Sequence, residues 1–227
     1  MGVREKLASV EERMARAAAK SGRARKDITL VAVTKGAGPE AVVEARAAGL
    51  TVFGENRVQE AAAKIPACPP EAGVEWHMVG HLQTNKVADA VSLFGLIQSI
   101  DSVRVARAVN DAAAAAGKTA DVLLEVNISG EPKKYGFKPA EIYAALEAAA
   151  GLPAVRVLGL MGLAPLTDDE AARRAAFKEL RGLFSVCKSV KKPNLEMRHL
   201  SMGMSDDFEA AIEEGSNMVR LGRAIFR

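Results

Sequence analysis

The feature that most constrains this chain is an alternation. Eight short apolar runs, at 28–34, 51–53, 74–79, 96–100, 122–128, 155–161, 197–201 and 218–222, are separated by stretches of helical periodicity. The runs are nearly continuous in apolar residues, as strands covered on both faces are. Strands that alternate with helices imply a parallel sheet built from crossover connections. Eight of them, with no glycine-rich GxGxxG turn, point to an α/β fold of the (β/α)8-barrel (TIM barrel) type rather than an open doubly wound sheet. Residues 3–20 add a helical pattern ahead of the first run, predicting an extra helix that covers part of the barrel.

Local signals set the element ends. Pro39 falls in the first turn of one helix and Gly49 just past its end. A helix over 57–64 is expected to stop at Pro66 and Pro69-Pro70, and Thr84 to cap a helix running to residue 91. Gly117 closes an Ala-rich helix over 103–116, and Pro139 opens one ending near Gly151. The longest late helix covers 168–190, and a shorter one covers 206–214.

Composition narrows the function. The 227 residues carry no linker or compositional break, so one domain over 1–227 is expected. A net charge of +3 with 4% aromatic residues gives no basic, stacking surface for nucleic acid. The densest basic stretch, 188–192, reads as the solvated end of a helix. Cys68 and Cys187 match no metal or redox spacing and suit a reducing compartment. The charged N-terminus has no signal-peptide core and no apolar run reaches membrane-spanning length, so a cytoplasmic protein without membrane contact is expected.

Barrel sites sit at the carboxyl ends of the strands. That places Lys35, Glu55, Asn56, His81, Gln83, Asp101, Asn127, Ser201–Ser205 and Arg220–Arg223 at one mouth. Lys35 ends an apolar strand. Desolvation there would lower its pKa and make its amine nucleophilic, whereas a lysine snorkelling to solvent would be inert. The turns at 201–207 and 220–224 follow strands seven and eight, where barrels often bind phosphate. Ser205 could equally be the N-cap of the next helix, with Asp206 and Asp207 complementing its dipole. Beside a phosphate those two carboxylates would have to point away. Glu55 and Asp101 are the only carboxylates that could be pressed into a glycosidase pair, and nothing else supports a sugar site. His77 and His81, with His199 the only other histidine, lack the spacing of a metal site. Trp76 reads as core.

Several strings together carry a resemblance. Lys35, GENRVQE (54–60), WHMVGHLQTNK (76–86), VNISGEPKKYGF (126–137), GLMGLAP (159–165), SMGMSDDFEAAIEEG (201–215) and VRLGRAIF (219–226) span the chain in order. The sequence resembles the pyridoxal phosphate homeostasis protein family. The resemblance implies a barrel similar to the N-terminal domain of alanine racemase, with pyridoxal 5′-phosphate (PLP) held as a Schiff base on Lys35. It implies that Asn56 lies near the cofactor ring and that Arg220 faces the pyridine nitrogen. Ser205, Gly222 and Arg223 would hold the phosphate, the last two chiefly through backbone N–H. Gly80, His81, Ser201 and Met202 would line the pocket. Two departures stand out. The chain stops at Ile225-Phe226-Arg227, where family members commonly continue, and Arg223 occupies a position where a small hydroxyl residue can occur.

The resemblance implies a carrier that maintains the intracellular PLP supply, with apo PLP-dependent enzymes as candidate partners, and the absence of a β-domain leads us to expect a monomer. Racemisation needs proton transfer on both faces of the substrate carbon, and the racemases that this barrel resembles take their second base from a further β-domain, for which no residues are left here. An arginine at the pyridine nitrogen also disfavours its protonation and weakens the ring as an electron sink. The rival expectation is a PLP-dependent amino-acid racemase or lyase. A third is a barrel that recruits protein partners without PLP.

Overall fold

The computed structural model describes residues 2–68 and 73–227. Helix α1 (Val3–Lys20) precedes β1 (Thr29–Val33), and the chain then alternates. The first half runs α2 (Pro39–Ala47), β2 (Val52–Glu55), α3 (Val58–Lys64), β3 (Glu75–Met78), α4 (Val87–Leu93) and β4 (Leu96–Ile100). The second half runs α5 (Val103–Ala115), β5 (Ala120–Val126), α6 (Ile142–Ala150), β6 (Val155–Gly162), α7 (Glu170–Cys187), β7 (Leu195–Ser201), α8 (Phe208–Glu213), β8 (Met218–Leu221) and a short α9 (Arg223–Phe226). The strands pair in parallel in chain order, and β8 closes onto β1 to complete the barrel. The alternation in the sequence is therefore the barrel itself, and the helix ahead of the first strand is present. Among the described residues, no helix is long and apolar enough to cross a membrane.

Strand alternation divides the apolar residues into two sets. Val31, Leu96, Leu123, Leu158, Met161 and Met218 cluster inside the barrel. A larger set, including Phe53, Trp76, Met78, Ile97, Leu124 and Leu160, fills the space between sheet and helices. Trp76 is core, as its sequence context predicts, with its ring 5.3 Å from that of Phe53. The barrel interior is not wholly apolar. His77, Gln98, Glu125, Ser201 and Arg220 are buried in strands β3, β4, β5, β7 and β8.

Helix α1 buries Leu7, Val10, Met14 and Ala17 at the spacing of one helical face and packs on α8 and α9. Arg13 clamps Glu209 of α8 through Nε and Nη2 at 3.0 and 2.6 Å. Just beyond α1, the Arg23 guanidinium donates to the carbonyls of Ile212 and Ser216, satisfying the exposed end of α8. The extra helix thus braces the elements that flank the closing strand.

Several element ends differ from expectation for local reasons. Thr84 does not cap α4; it opens a 3₁₀ turn (Thr84–Lys86), and Lys86 occupies the cap position. Pro139 likewise opens a 3₁₀ turn (Pro139–Glu141) that runs into α6. Helix α3 passes into a 3₁₀ turn (Ile65–Ala67) that contains Pro66, while Pro69-Pro70 lies outside the described residues. Ser205 is not the cap of α8. That position belongs to Asp207, because the turn after β7 runs two residues further than the sequence indicates.

The register shifts on both sides of β6 between Val157 and Gly159. A Cβ added at Gly159 would meet the His199 carbonyl oxygen at 1.8 Å, so β6 can approach β7 there only without a side chain. Gly159→Ala is expected to force β6 and β7 apart and to cost about 3 kcal/mol or more, read as a lowered midpoint in urea denaturation.

Candidate cofactor site

The mouth is assembled by the β1–β8 seam, in which Val31 registers with Arg220 and Ala32 with Leu221. Lys35 leaves β1 and Gly222 leaves β8 side by side. A Cβ at Gly222 would lie 3.0 Å from the Val33 carbonyl oxygen. A cavity of about 480 Å³ opens here, lined by Lys35, Asn56, Gly80, His81, Ser205, Arg220, Gly222 and Arg223. That size suits a small organic ligand. A wider groove of about 1070 Å³ shares Lys35, Asn56, Gly80 and His81 and runs out over Arg57, Gln59, Gln83 and Lys86. The strings at 54–60 and 76–86 therefore flank one lysine.

Two predicted lining residues lie elsewhere. Met202 is fully buried in the outer core, and Ser201 is fully buried beneath the cavity, where its hydroxyl accepts from Arg220 Nη1 at 2.6 Å. At the end of β7 the alternation turns Ser201 inward and Met202 outward.

The floor under Lys35 is held by a buried ionic cluster. Thr34 Oγ1 donates to Glu55 Oε1 at 2.5 Å, and Lys64 reaches both Glu55 and the Thr34 carbonyl. Glu55 is completely buried and committed to this cluster. Asp101 instead takes His81 Nδ1 at 2.8 Å and the Ser102 hydroxyl at 3.0 Å. The two carboxylates thus serve separate structural partners, and no glycosidase pair forms. Gly80 is required by crowding, since a Cβ would meet the Asn56 carbonyl oxygen at 2.3 Å.

His81 is further fixed by the Tyr135 ring, stacked at 3.6 Å with 11° between planes. Tyr135 sits on a loop tied by Asn127, whose Nδ2 donates to the carbonyls of Glu131 and Lys134 at 2.9 and 3.1 Å. Asn127 is therefore a loop brace. Tyr135 and Glu125 line the cavity and were not singled out from the sequence. The available signal for Glu125 was a lone carboxylate in the apolar run 122–128. Tyr135 had none, because a loop ring declares no partner.

The phosphate-type end has a donor-rich composition. Ser205 Oγ accepts the Ala224 N–H at 3.2 Å, and the Gly222 and Arg223 N–H groups stand at the start of α9. Asp206 turns to the Arg223 guanidinium, and Asp207 Oδ1 takes the Met204 N–H at 2.6 Å. Both carboxylates adjoining this end therefore have partners of their own. A lysine amine, a hydroxyl, main-chain N–H groups and the three arginines Arg220, Arg223 and Arg227 around one cavity fit a phosphorylated aldehyde. Among the described residues no three His, Cys, Asp or Glu side chains converge as a metal site would require.

Burial dominates the electrostatics. Desolvation pulls the Arg220 guanidinium down to about 10, opposed by Glu125 and Asp207. Desolvation pushes Glu125 up to about 7, helped by Asp101 and opposed by Arg220.

The family model for the alanine racemase N-terminal domain matches residues 6–227. The chain is 39% identical over 226 residues to the pyridoxal phosphate homeostasis protein of Aquifex aeolicus, covering 100% of this chain and 98% of that one. It is 40% identical over 222 residues to its namesake from Escherichia coli K12, covering 97% and 94%. The chain belongs to the pyridoxal phosphate homeostasis protein family. PipY of Synechococcus elongatus, solved with PLP bound, matches this family member at 34% identity and a TM-score of 0.86, covering 99% and 100%. Alanine racemase from Clostridium difficile shares the fold at a TM-score of 0.71 and 16% identity, with 99% of this chain matched to 55% of the racemase.

The raised Glu125 carboxyl sets a pH dependence. Its neutral form is favoured in the fold, so its contribution is present below the ordinary value of 4.5 and lost as pH rises through about 7. Glu125→Gln should match wild type near pH ~4–5 and exceed it in stability above neutral pH, by up to about 3 kcal/mol. Urea denaturation at both pH values checks this, and a variant less stable at high pH would contradict it.

Proposed function

We propose that this chain carries PLP as a Schiff base on Lys35 and yields it to apo-enzymes, serving the intracellular supply of the cofactor. The observation that supports this most is the meeting of three chemistries around one cavity: the Lys35 amine, the buried Arg220 guanidinium, and the donor group of Ser205, Gly222 and Arg223. The cofactor supplies an aldehyde that condenses with a neutral amine. Arg220 would face the ring nitrogen and, being cationic, would keep it unprotonated, which weakens the ring as an electron sink. Ser205 and the start of α9 would hold the phosphate, and Asn56 and His81 would bound the ring from the β2 and β3 ends. Lys35 is exposed, and the wide groove beside it lets an incoming amine approach from solvent.

One observation favours a second reading. Glu125, with its carboxyl near neutrality, and the His81–Asp101 pair both border the cavity, and such groups can move protons at a substrate carbon. A PLP-dependent racemase or lyase activity would exchange the α-hydrogen of alanine for deuterium in heavy water; a pure carrier would not.

The decisive test is borohydride reduction of the PLP-loaded protein with peptide mapping. The expected result is a pyridoxyl group on Lys35. Lys35→Ala should lose that adduct and the absorbance of the bound form while retaining weak, phosphate-dependent binding. An adduct only on other lysines, or unchanged absorbance in the variant, would sink the assignment.

A further inference from the structure

A line of polar side chains runs down the axis of the barrel from the mouth to the opposite end. Arg220 Nη1 donates to Ser201 Oγ at 2.6 Å, and Ser201 Oγ donates to Gln98 Oε1 at 2.6 Å. Gln98 Nε2 stands 2.8 Å from His77 Nδ1, and His77 Nε2 is 3.0 Å from Glu75 Oε1. That last contact is within ion-pair reach, and among the described residues His77 Nε2 has no other polar partner. Gln98, Ser201, His77 and Arg220 are all buried, whereas the Glu75 side chain is half exposed at the start of β3.

The polarity of this line follows from its first member. A guanidinium can only donate, so Ser201 spends a lone pair on it and passes its own hydrogen to Gln98. The Gln98 carbonyl is thereby occupied, and its NH₂ group must face His77 and the Met218 sulfur, which lies 3.2 Å away. His77 then offers a lone pair at Nδ1 and carries its hydrogen on Nε2, toward the Glu75 carboxylate. Every dipole points its negative end at the buried cation and its positive end at the anion.

We propose that Gln98 and His77, neither of which reaches the cavity, are positioning residues for Arg220. The aligned line stabilises the guanidinium charge without placing a carboxylate on it; with Nη1 on Ser201 and Nη2 on the Gly162 carbonyl at 3.0 Å, the N–H groups left over stay aimed at the ligand. This rests on the reading that Arg220 faces the cofactor ring. The test uses PLP-loaded full-length protein whose adduct has first been mapped to Lys35. Gln98→Leu should raise the PLP dissociation rate roughly tenfold and move the pH midpoint of the bound chromophore by about one unit. Ser201→Ala should do the same and Ser201→Thr should restore the wild-type midpoint, which keeps the test sound if one variant folds poorly. In ligand-free protein, nitrogen NMR should show neutral His77 with its hydrogen on Nε2. A Gln98→Leu protein that folds with an unchanged midpoint and dissociation rate, or a His77 ring protonated at Nδ1, overturns the inference. Mapping of PLP to a lysine other than Lys35 overturns the carrier site, and this inference with it.

Discussion

Two strands from opposite ends of the chain hydrogen-bond to each other, and the whole mouth depends on that seam. β1 ends in Lys35 and β8 leads into Gly222 and Arg223, so their pairing alone brings the amine next to the phosphate-type donors. No local signal joins them; the contact is as non-local as the fold allows and carries the largest loop-closure cost. This explains why α1 is worth its length. Arg13 and Arg23 tie the N-terminal region to α8 and to the turn before β8, holding the last strand against the first from outside.

Closing the barrel also traps charge. A guanidinium at the centre of the mouth loses its water, and among the described residues no carboxylate lies within ion-pair distance of it. Desolvation of this kind costs several kcal/mol for an ion left without partners. Here the Ser201 hydroxyl and the Gly162 carbonyl, at 2.6 and 3.0 Å, accept from it, while Glu125 and Asp207 act from further off. The raised Glu125 carboxyl is the counterpart of that arrangement, because it too is buried and has Asp101 nearby. The mouth is thus a field of partly compensated charges, which favours a ligand that brings both an anionic phosphate and a polarisable ring.

The architecture was legible because its signal is repetitive. Eight buried strands write eight apolar runs, and their order in the sequence is their order in the barrel. Strand ends are readable too, and eight of the ten residues that the family resemblance assigns to the cofactor border the cavity. The misses have separate physical causes. Ser201 and Met202 differ by a single step of strand alternation, and a one-residue uncertainty in phase exchanges inside for outside. Ser205 was assigned between cap and ligand by a turn whose length no propensity fixes. Glu125 lies inside the apolar run 122–128, where strand-end reasoning does not look, and the place of Tyr135 depends on a loop that Asn127 organises from across the turn.

Two lysines flank the end of β1, and the structure treats them oppositely. Lys64 is buried, ion-paired with Glu55 and hydrogen-bonded to the Thr34 carbonyl, so its amine is committed to that cluster. Among the described residues Lys35 has no ion-pair partner, and it faces the cavity and the groove at once. The buried pair anchors the residue before Lys35 and holds the second amine in the floor, so of the two lysines Lys35 is the one that faces the cavity. The counter-charge makes this difference, and the sequence alone shows only that both lysines are present.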